Sequence, residues 1–156
     1  MPTGNRRRTD ADPDATRTID SHLLGELTLT AEQVVAFPEG LHGFPTEREF
    51  ALVDAARDGF WWLQSTTEAA LAFLLVDPFR VQPDYEVDLS PGDEAFLAFT
   101  SAEQALVLTV VTLPSSANGT ATTNLRGPIV INLATRRARQ VVRADERYDL
   151  RAPVPI

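Results

Sequence analysis

Short apolar or alternating runs, broken repeatedly by Pro, Gly and acidic residues, make up most of the chain after residue 21. Alternation with a period of two is typical of strands, and no window keeps a helical period for three turns. The pattern predicts ten strands, at about residues 26–29, 33–37, 50–53, 60–64, 71–77, 85–89, 95–100, 106–113, 128–134 and 139–143. It also predicts one or two very short helical turns, at 65–70 and 90–95, each preceded by a capping Ser.

Ten short strands favour an all-β fold, namely a single compact sandwich or partly closed pseudo-barrel. Residues 1–21 are mostly polar and are predicted to form a disordered tail. The predicted β domain covers residues 22–152, and residues 153–156 are predicted to be a short C-terminal tail.

The stretch "PDYEVDL" places an acidic residue at every second position. In a strand, Tyr85 and Val87 point to one face, whereas Asp84, Glu86 and Asp88 point to the other. We therefore expect three carboxylates on one solvent-facing row. Carboxylates that act in acid–base catalysis need different environments, which such a row does not provide. The pattern favours a binding surface over an active site.

Charge is concentrated in the middle of the chain. Residues 1–19 carry +1, residues 20–125 carry −13 and residues 126–156 carry +4, which gives the net charge of −8. A negative surface attracts basic partners and repels nucleic acid. The alternative is a surface that serves solubility alone.

Several kinds of chemistry are missing from the sequence. Cysteine is absent, which excludes disulfides and fits a reducing compartment. No apolar run is long enough for a membrane span, so we expect a soluble, cytoplasmic protein. His22 and His42 lack partners at ligand spacing, and there is no phosphate loop or nucleophile elbow. We therefore expect no metal, no cofactor and no catalytic residue, and a protein that is not an enzyme.

Five motifs follow one another along the chain. They are "FPEGLHGF" (37–44), "FWWLQS" (60–65), "VDPFRVQPDYEV" (76–87), "TTNLRGPIVIN" (122–132), and "RQVV" (139–142) with "YDLR" (148–151). In this order and spacing they resemble the FliW family of flagellar assembly factors. The resemblance covers about residues 27–151. His42 stands where the family usually has Pro, and residues 1–21 lie outside the pattern.

Most residues of these motifs are interpreted as structural. Phe79 is expected to close the core beneath a turn shaped by Asp77 and Pro78. The step from Gly127 to Pro128 is expected to turn the chain into a buried strand. The other motif residues with a structural interpretation are Gly40, Gly43, Phe44, Leu63, Gln64, Ser65, Pro83, Tyr85, Asn124 and Asn132.

The resemblance implies a β pseudo-barrel that binds two partners, flagellin and CsrA. CsrA is a small basic RNA-binding dimer that represses translation of the flagellin message, and free FliW relieves that repression. We hypothesise that Asp84, Glu86 and Asp88, with Asp77 and Glu68, form part of the CsrA-facing surface. Trp62 is a candidate anchor for a helix of flagellin, because adjacent Trp residues on a strand face opposite sides.

Three points stay open at the level of sequence. The protein is either a flagellin chaperone with CsrA function or a flagellin chaperone alone, and antagonism of CsrA is either competitive or allosteric. A metal-dependent hydrolase that uses the acidic row is a third, disfavoured alternative. We expect a monomer with no direct contact to nucleic acid or membrane.

Overall fold

A computed structural model describes residues 15–155, and within this range eleven strands and two α-helices form. The strands are β1 Thr16–Ser21, β2 Gly25–Thr30, β3 Val34–Ala36, β4 Glu49–Asp54, β5 Phe60–Ser65, β6 Ala72–Val76, β7 Ala105–Thr112, β8 Thr122–Thr123, β9 Ile129–Asn132, β10 Arg137–Gln140 and β11 Ala152–Pro153. The helices are α1 Pro78–Val81 and α2 Pro91–Leu97, and two 3-10 turns lie at Ala31–Gln33 and Ala102–Gln104. No helix in residues 15–155 is long and apolar enough to cross a membrane.

Seven strands close into a barrel in the order β7, β6, β5, β4, β3, β10, β9 and back to β7. Neighbouring strands are antiparallel except β3 and β10, which pair in parallel. Alternate residues of each strand fill the barrel, as the period of two predicts. This central core contains Val35, Phe37, Leu41, Phe50, Leu63, Leu75, Leu108, Ile129, Ile131 and Ala138. The expected all-β barrel is confirmed.

The outer face of β7 and β9 is also apolar, and a second layer of chain covers it. Val107 on β7 packs against a cluster that contains Tyr85 and Tyr148. Val130 on β9 belongs to a cluster with Leu97 of α2. Two buried faces explain why these strands read as nearly continuous apolar runs.

The predicted disordered tail extends too far along the chain, because its last six residues form a strand. Thr16–Ser21 is β1, which pairs with β2 in a hairpin, while residues 1–14 lie outside the described range. Ile19 is the one large apolar side chain of β1, and it packs with Leu29 of β2 and Ala51 of β4. The other positions of β1 are largely Thr, Arg and Asp facing solvent, so the strand has the composition of a tail.

The predicted C-terminal tail is wrong at its first two residues. Ala152–Pro153 forms β11, which pairs with β8, and Val154 is only 3% exposed. Pro is tolerated there because β11 lies at the edge of the sheet.

Two predicted local structures between β6 and β7 are wrong. Residues 95–100 are not a strand, because α2 continues to Leu97 and the backbone of Ala98 takes the left-handed conformation that ends the helix. Residues 85–89 are extended but belong to none of the described strands.

The helical turn predicted at residues 90–95 is confirmed, and the helix continues two residues further, to Leu97. A capping box at Ser90 and Pro91 at the first helical position start it.

The other predicted helical turn, at residues 65–70, is not a helix. Ser65 Oγ accepts the backbone N–H groups of Thr67 and Glu68, as a helix cap does. The chain then turns back at once, because Leu71 N–H donates to the carbonyl of Glu68 and β6 begins at Ala72.

Candidate partner-binding site

The predicted acidic row begins in a turn at residues 82–85 and continues along the unpaired segment up to residue 90. Tyr85 is buried and Val87 is half-buried, whereas Asp84, Glu86 and Asp88 are exposed. The alternation predicted from the sequence is therefore correct for the faces, although the segment is not a strand. Three carboxylates face outward from one short length of chain.

Two tyrosines fasten this segment to the barrel. The Tyr85 hydroxyl donates to the carbonyl of Leu125 at 2.6 Å, and the Tyr148 hydroxyl accepts the backbone N–H of Glu86 at 2.9 Å. The two rings meet edge to face with centroids 4.7 Å apart. Burial raises the pKa of Tyr85 to about 12. The acidic row is thus presented from a fixed backbone, although it lacks strand pairing.

Arg147 lies across the acidic row. Its guanidinium approaches Glu86 and Asp88 at 3.5 Å each and Asp145 at 2.7 Å. The side-chain hydrogen bond from Arg147 lowers the pKa of Asp145 to about 2. One cation against three carboxylates leaves this group with a net charge of −2. The row is therefore partly neutralised, because Arg147 of the basic C-terminal region lies against the acidic middle of the chain.

The other two acids of the hypothesised surface belong to other elements than the row. Asp77 is half-buried and caps α1, where its carboxylate accepts the N–H of Phe79 at 3.0 Å. Glu68 is exposed in the turn before β6, whereas Asp77 follows β6. A strand of that length spans roughly 16 Å. Glu68 and Asp77 therefore lie at opposite ends of β6.

Phe79 does not close the core, and that prediction is wrong. The side chain is 43% exposed, and its ring contacts the Tyr85 ring in a T-shaped arrangement at a centroid distance of 5.8 Å. Pro78, at the first position of α1, is the buried residue of this helix. Because α1 is a single turn, few of its residues can face the interior. Pro78 takes that position, and Phe79 is left at the surface. Pro83 is exposed in the turn that follows.

The two adjacent tryptophans face opposite sides of β5. Trp61 packs against the central core, whereas Trp62 belongs to the outer row, where its cross-strand partners are Val53 and Leu74. Both tryptophans are half-buried. The outer row leaves part of the Trp62 indole available at the surface.

The glycine-rich loop between β3 and β4 is tied to β10. Gly40 and Gly43 have φ angles of +70° and +88°, and the ring of Phe44 meets Phe73 edge to face at 5.3 Å. His42 N–H donates to the side chain of Gln140 at 2.8 Å. These contacts support the structural interpretation of the loop.

Arg139 of β10 links this loop to α2. Its guanidinium binds both carboxylate oxygens of Glu39 at 2.9 Å and one oxygen of Asp93 at 3.1 Å, and it stacks on Phe96 at 4.0 Å. Burial works against ionisation of Asp93, but hydrogen bonds from Ser90 and Arg139 leave the pKa of Asp93 lowered.

Gln64 is fully buried on the outer face of β5, next to the buried residues Leu63 and Ser65. Its Oε1 accepts the hydroxyl of Ser21 at 2.6 Å. Its Nε2 donates to the carbonyls of Ser65 and Glu68 at 3.0 and 3.2 Å. Gln64 therefore joins the β1–β2 hairpin and the β5–β6 turn to the barrel.

The motif around β9 also makes its contacts within the fold. Asn124 accepts the N–H of Arg126 at 2.9 Å, and Gly127 and Pro128 are buried where the chain enters β9. Asn132 is fully buried, donates to the carbonyl of Leu97 at 2.7 Å and accepts the N–H of Ala134 at 2.9 Å.

The sequence did not single out Arg139, Arg147 and Tyr148 as site residues. Tyr148 belongs to the "YDLR" motif, but its contact with Glu86 joins residues 62 positions apart. Alternation assigns faces along a strand and carries no information about such distant neighbours. Within residues 15–155, no three acidic or His side chains are placed to hold a metal ion.

Comparison with known proteins fits this arrangement. The family described as FliW protein matches residues 18–154. The chain is 36% identical to the flagellar assembly factor FliW of Caldicellulosiruptor saccharolyticus over 133 residues, which cover 85% of this chain and 87% of that protein. It is also 36% identical to the protein of that name from Treponema pallidum over 130 residues, covering 83% and 86% of the two chains.

A crystal structure of the flagellar assembly factor FliW superposes with a TM-score of 0.78 at 30% identity, covering 89% of this chain and 98% of that one. The residues that the family matches, 18–154, span the barrel strands, β2 and the layer that carries the two tyrosines and the acidic row. On both sequence and fold, this chain belongs to the FliW family.

Proposed function

We propose that this protein acts in the cytoplasm as a non-enzymatic binding protein of flagellar assembly. It binds newly made flagellin and, once flagellin is exported, binds CsrA and relieves repression of flagellin translation. Support comes from the family, since its relatives carry the name flagellar assembly factor. The proposal that CsrA is a partner has a second support, the acidic row.

The observation that carries the CsrA interaction is the outward row of Asp84, Glu86 and Asp88 on a backbone fixed by Tyr85 and Tyr148. A protein that binds RNA presents a basic surface selected to hold phosphates. A fixed negative row is complementary to such a surface and steers its encounter with the partner. Because the backbone is already ordered, binding costs little conformational entropy.

Arg147 reduces the negative charge of this surface. It leaves Glu86 and Asp88 only partly neutralised, since the contacts at 3.5 Å are looser than the 2.7 Å contact to Asp145. A basic side chain of the partner therefore finds carboxylates with remaining acceptor capacity. Attraction between exposed charges weakens as salt screens it, so binding is expected to depend on salt.

Flagellin is assigned to a different surface, the outer row of β4, β5 and β6 around Trp62. Val53, Trp62 and Leu74 stand directly opposite one another on these strands and are half-buried. Aromatic side chains that are held on a rigid sheet are frequent anchors for apolar partners. An amphipathic helix of flagellin is the proposed occupant.

A chaperone for flagellin alone is the second candidate, which the apolar row favours equally well. The hydrolase alternative has no observation in its favour, because the three acids of the row lie side by side facing water and none has the distinct environment that acid–base chemistry needs.

The decisive experiment is a calorimetric titration against CsrA and flagellin of the same organism at low and moderate salt. The triple variant Asp84→Asn, Glu86→Gln, Asp88→Asn is expected to weaken CsrA binding and flatten its salt dependence. The matched control changes three exposed acids elsewhere, Glu26→Gln, Asp54→Asn and Glu103→Gln. Equal affinities for the two triple variants would contradict the assignment of the row.

Trp62→Ala is expected to weaken flagellin binding and leave CsrA binding unchanged. Binding of flagellin but not of CsrA by the wild type would establish the chaperone alone. Displacement of RNA from CsrA at saturating protein separates the two modes of antagonism: complete displacement indicates competition, whereas a plateau with reduced RNA affinity indicates an allosteric effect.

A further inference from the structure

Phe79 is an aromatic side chain that the fold holds at the surface. It lies at the second position of α1, whose start is fixed by the Asp77 cap and by Pro78. The ring rests on Tyr85, which is itself 4% exposed and hydrogen-bonded to Leu125. The rest of the ring remains open, which gives the exposed fraction of 43%. The ring is thus preorganised and needs little ordering when a partner covers it.

Two carboxylates of the acidic row flank the tyrosine on which this ring rests. Asp84 and Glu86 are the chain neighbours of Tyr85, and both are exposed. Asp84 has no ion pair among the described residues. Tyr85 therefore links the exposed ring to the acidic row.

Two cations in this region, Arg80 and Arg147, are engaged elsewhere. Arg80, its neighbour on α1, lies against Gly59 and pairs with Asp58 in the turn between β4 and β5. Gly59 has a φ angle of +86°, and a Cβ at this position would collide with the Arg80 side chain. Arg147 approaches Glu86 but makes its shortest contact with Asp145.

We infer that the aromatic ring of Phe79 is the anchor by which the acidic surface holds its basic protein partner. The surface fits a partner that presents an apolar side chain flanked by Arg or Lys. This inference rests on the proposed function and adds to it a division of roles. The carboxylates set the encounter rate and the salt dependence, whereas the buried contact with Phe79 sets the lifetime of the complex.

The charges near the ring exclude other occupants. A second copy of this chain would bring like charges together, and anionic lipid or nucleic acid would meet the same repulsion. A single exposed aromatic residue is common on protein surfaces. Phe79 differs from such residues in two ways. Its orientation is fixed, and it lies beside a negatively charged row that attracts a basic partner.

The test compares Phe79→Ala with wild type for binding to purified CsrA, measured as association and dissociation rates at several salt concentrations. The expected result is a loss of affinity of about thirtyfold, found mainly in faster dissociation, with the salt dependence unchanged. The control is Leu23→Ala, which removes another exposed apolar side chain, 58% exposed in the β1–β2 turn, and is expected to leave binding unchanged.

Phe79 also covers Tyr85, so thermal melting accompanies each binding measurement. If Phe79→Ala lowers the melting temperature, Phe79→Leu decides, because Leu keeps the cover over Tyr85 and removes the ring. Weaker binding by Phe79→Leu at an unchanged melting temperature supports the anchor. The anchor role is overturned if Phe79→Leu binds with wild-type affinity and the weaker binding of Phe79→Ala is accompanied by a lower melting temperature.

Failure of this inference is distinguishable from failure of the proposed function. Wild-type affinity in Phe79→Ala, together with a clear loss in the Asp84, Glu86, Asp88 triple variant, overturns the anchor and leaves the acidic surface in place. Absence of CsrA binding by the wild-type protein overturns both.

Discussion

Tyr85 and Tyr148 use their hydroxyls in opposite senses to hold one segment of chain. The Tyr85 hydroxyl donates to the carbonyl of Leu125, whereas the Tyr148 hydroxyl accepts the backbone N–H of Glu86. An extended segment outside a sheet has backbone groups that need partners when buried. The two phenols supply such contacts, so residues 82–90 keep a fixed shape without strand pairing.

The buried phenol of Tyr85 makes the protein sensitive to alkaline pH. Burial raises its pKa to about 12 from the ordinary value of 10.0, so the folded state favours the neutral form. The associated stability is fully present below pH 10 and is lost as pH rises from 10 towards 12. We expect Tyr85→Phe to unfold with a weaker pH dependence in this window, measured by urea titration at several pH values.

A spectroscopic experiment checks the same pKa directly. The chain has two tyrosines, so the variant Tyr148→Phe leaves Tyr85 as the only phenol. Its phenolate absorbance at 295 nm is expected to rise with a midpoint well above pH 10. A midpoint at pH 10 in the folded protein would contradict the burial argument.

Gln64 is expected to be among the most sensitive polar positions. Gln64→Ala removes the acceptor for the Ser21 hydroxyl and a donor to the carbonyls of Ser65 and Glu68, all in a site where Gln64 is 0% exposed. Buried polar groups that lose their partners are costly, so the free energy of unfolding is expected to fall by about 2–3 kcal/mol.

Urea denaturation measures this change, with Gln82→Ala as the control. Gln82 is half-buried, and its side chain makes no hydrogen bond within the described part of the chain; its backbone N–H bonds to Pro78. The control is expected to change stability much less. Equal losses for the two variants would show that side-chain volume, and not hydrogen bonding, determines the effect.

The strands of the barrel can be predicted from the sequence because each strand is marked by a pattern of neighbouring residues. The apolar runs at β4 to β7 and at β9 place these barrel strands correctly to within a few residues. The sequence also predicts which face of residues 84–89 is buried, since Tyr85 is inward and the acids are outward. Each of these predictions depends on side chains one or two residues apart.

The parts that the sequence leaves open depend on distant contacts. Arg147 reaches Glu86 across 61 positions and Arg139 reaches Glu39 across 100. Segment charges therefore overstate the acidity of the surface. The β1 strand looks like a tail because a hairpin that lies on a barrel needs few apolar residues of its own, and Ile19 suffices with Leu29. Tertiary packing, not local propensity, makes β1 a strand.

Asp93 is expected to stabilise the fold at neutral pH and to lose this effect in acid. Its pKa is lowered because hydrogen bonds from Ser90 and Arg139 outweigh the effect of burial. A carboxyl whose pKa is lower in the folded state stabilises the protein above its unfolded pKa, near 3.8, and the contribution disappears as pH falls through the lowered value.

Asp93→Asn is therefore expected to cost about 1–2 kcal/mol at pH 7 and progressively less below about pH 4. Stability measured from pH 2.5 to 7 gives the comparison, with exposed Asp54→Asn as a control that is expected to stay within about 0.5 kcal/mol of wild type. A cost that is independent of pH would indicate that the carboxylate charge of Asp93 is irrelevant to its role.

Gly40 and Gly43 provide a matched pair that separates backbone strain from steric collision. Both have positive φ angles, of +70° and +88°. A Cβ on Gly43 meets nothing within 4 Å, whereas a Cβ on Gly40 would lie 2.5 Å from the carbonyl oxygen of Phe44 and 2.7 Å from the backbone of Pro45. Gly43→Ala is therefore expected to cost only the left-handed strain, about 1–2 kcal/mol.

Gly40→Ala is expected to cost clearly more, because the backbone at Phe44 and Pro45 must shift to admit the methyl group. That shift also disturbs the contact between Phe44 and Phe73, which lies against the central core. Urea denaturation of the two variants gives the difference, and near-ultraviolet circular dichroism reports any change in the aromatic packing. Equal costs would mean that the loop moves freely to accommodate the methyl group, and that its hydrogen bond from His42 to Gln140 does not hold it against β10.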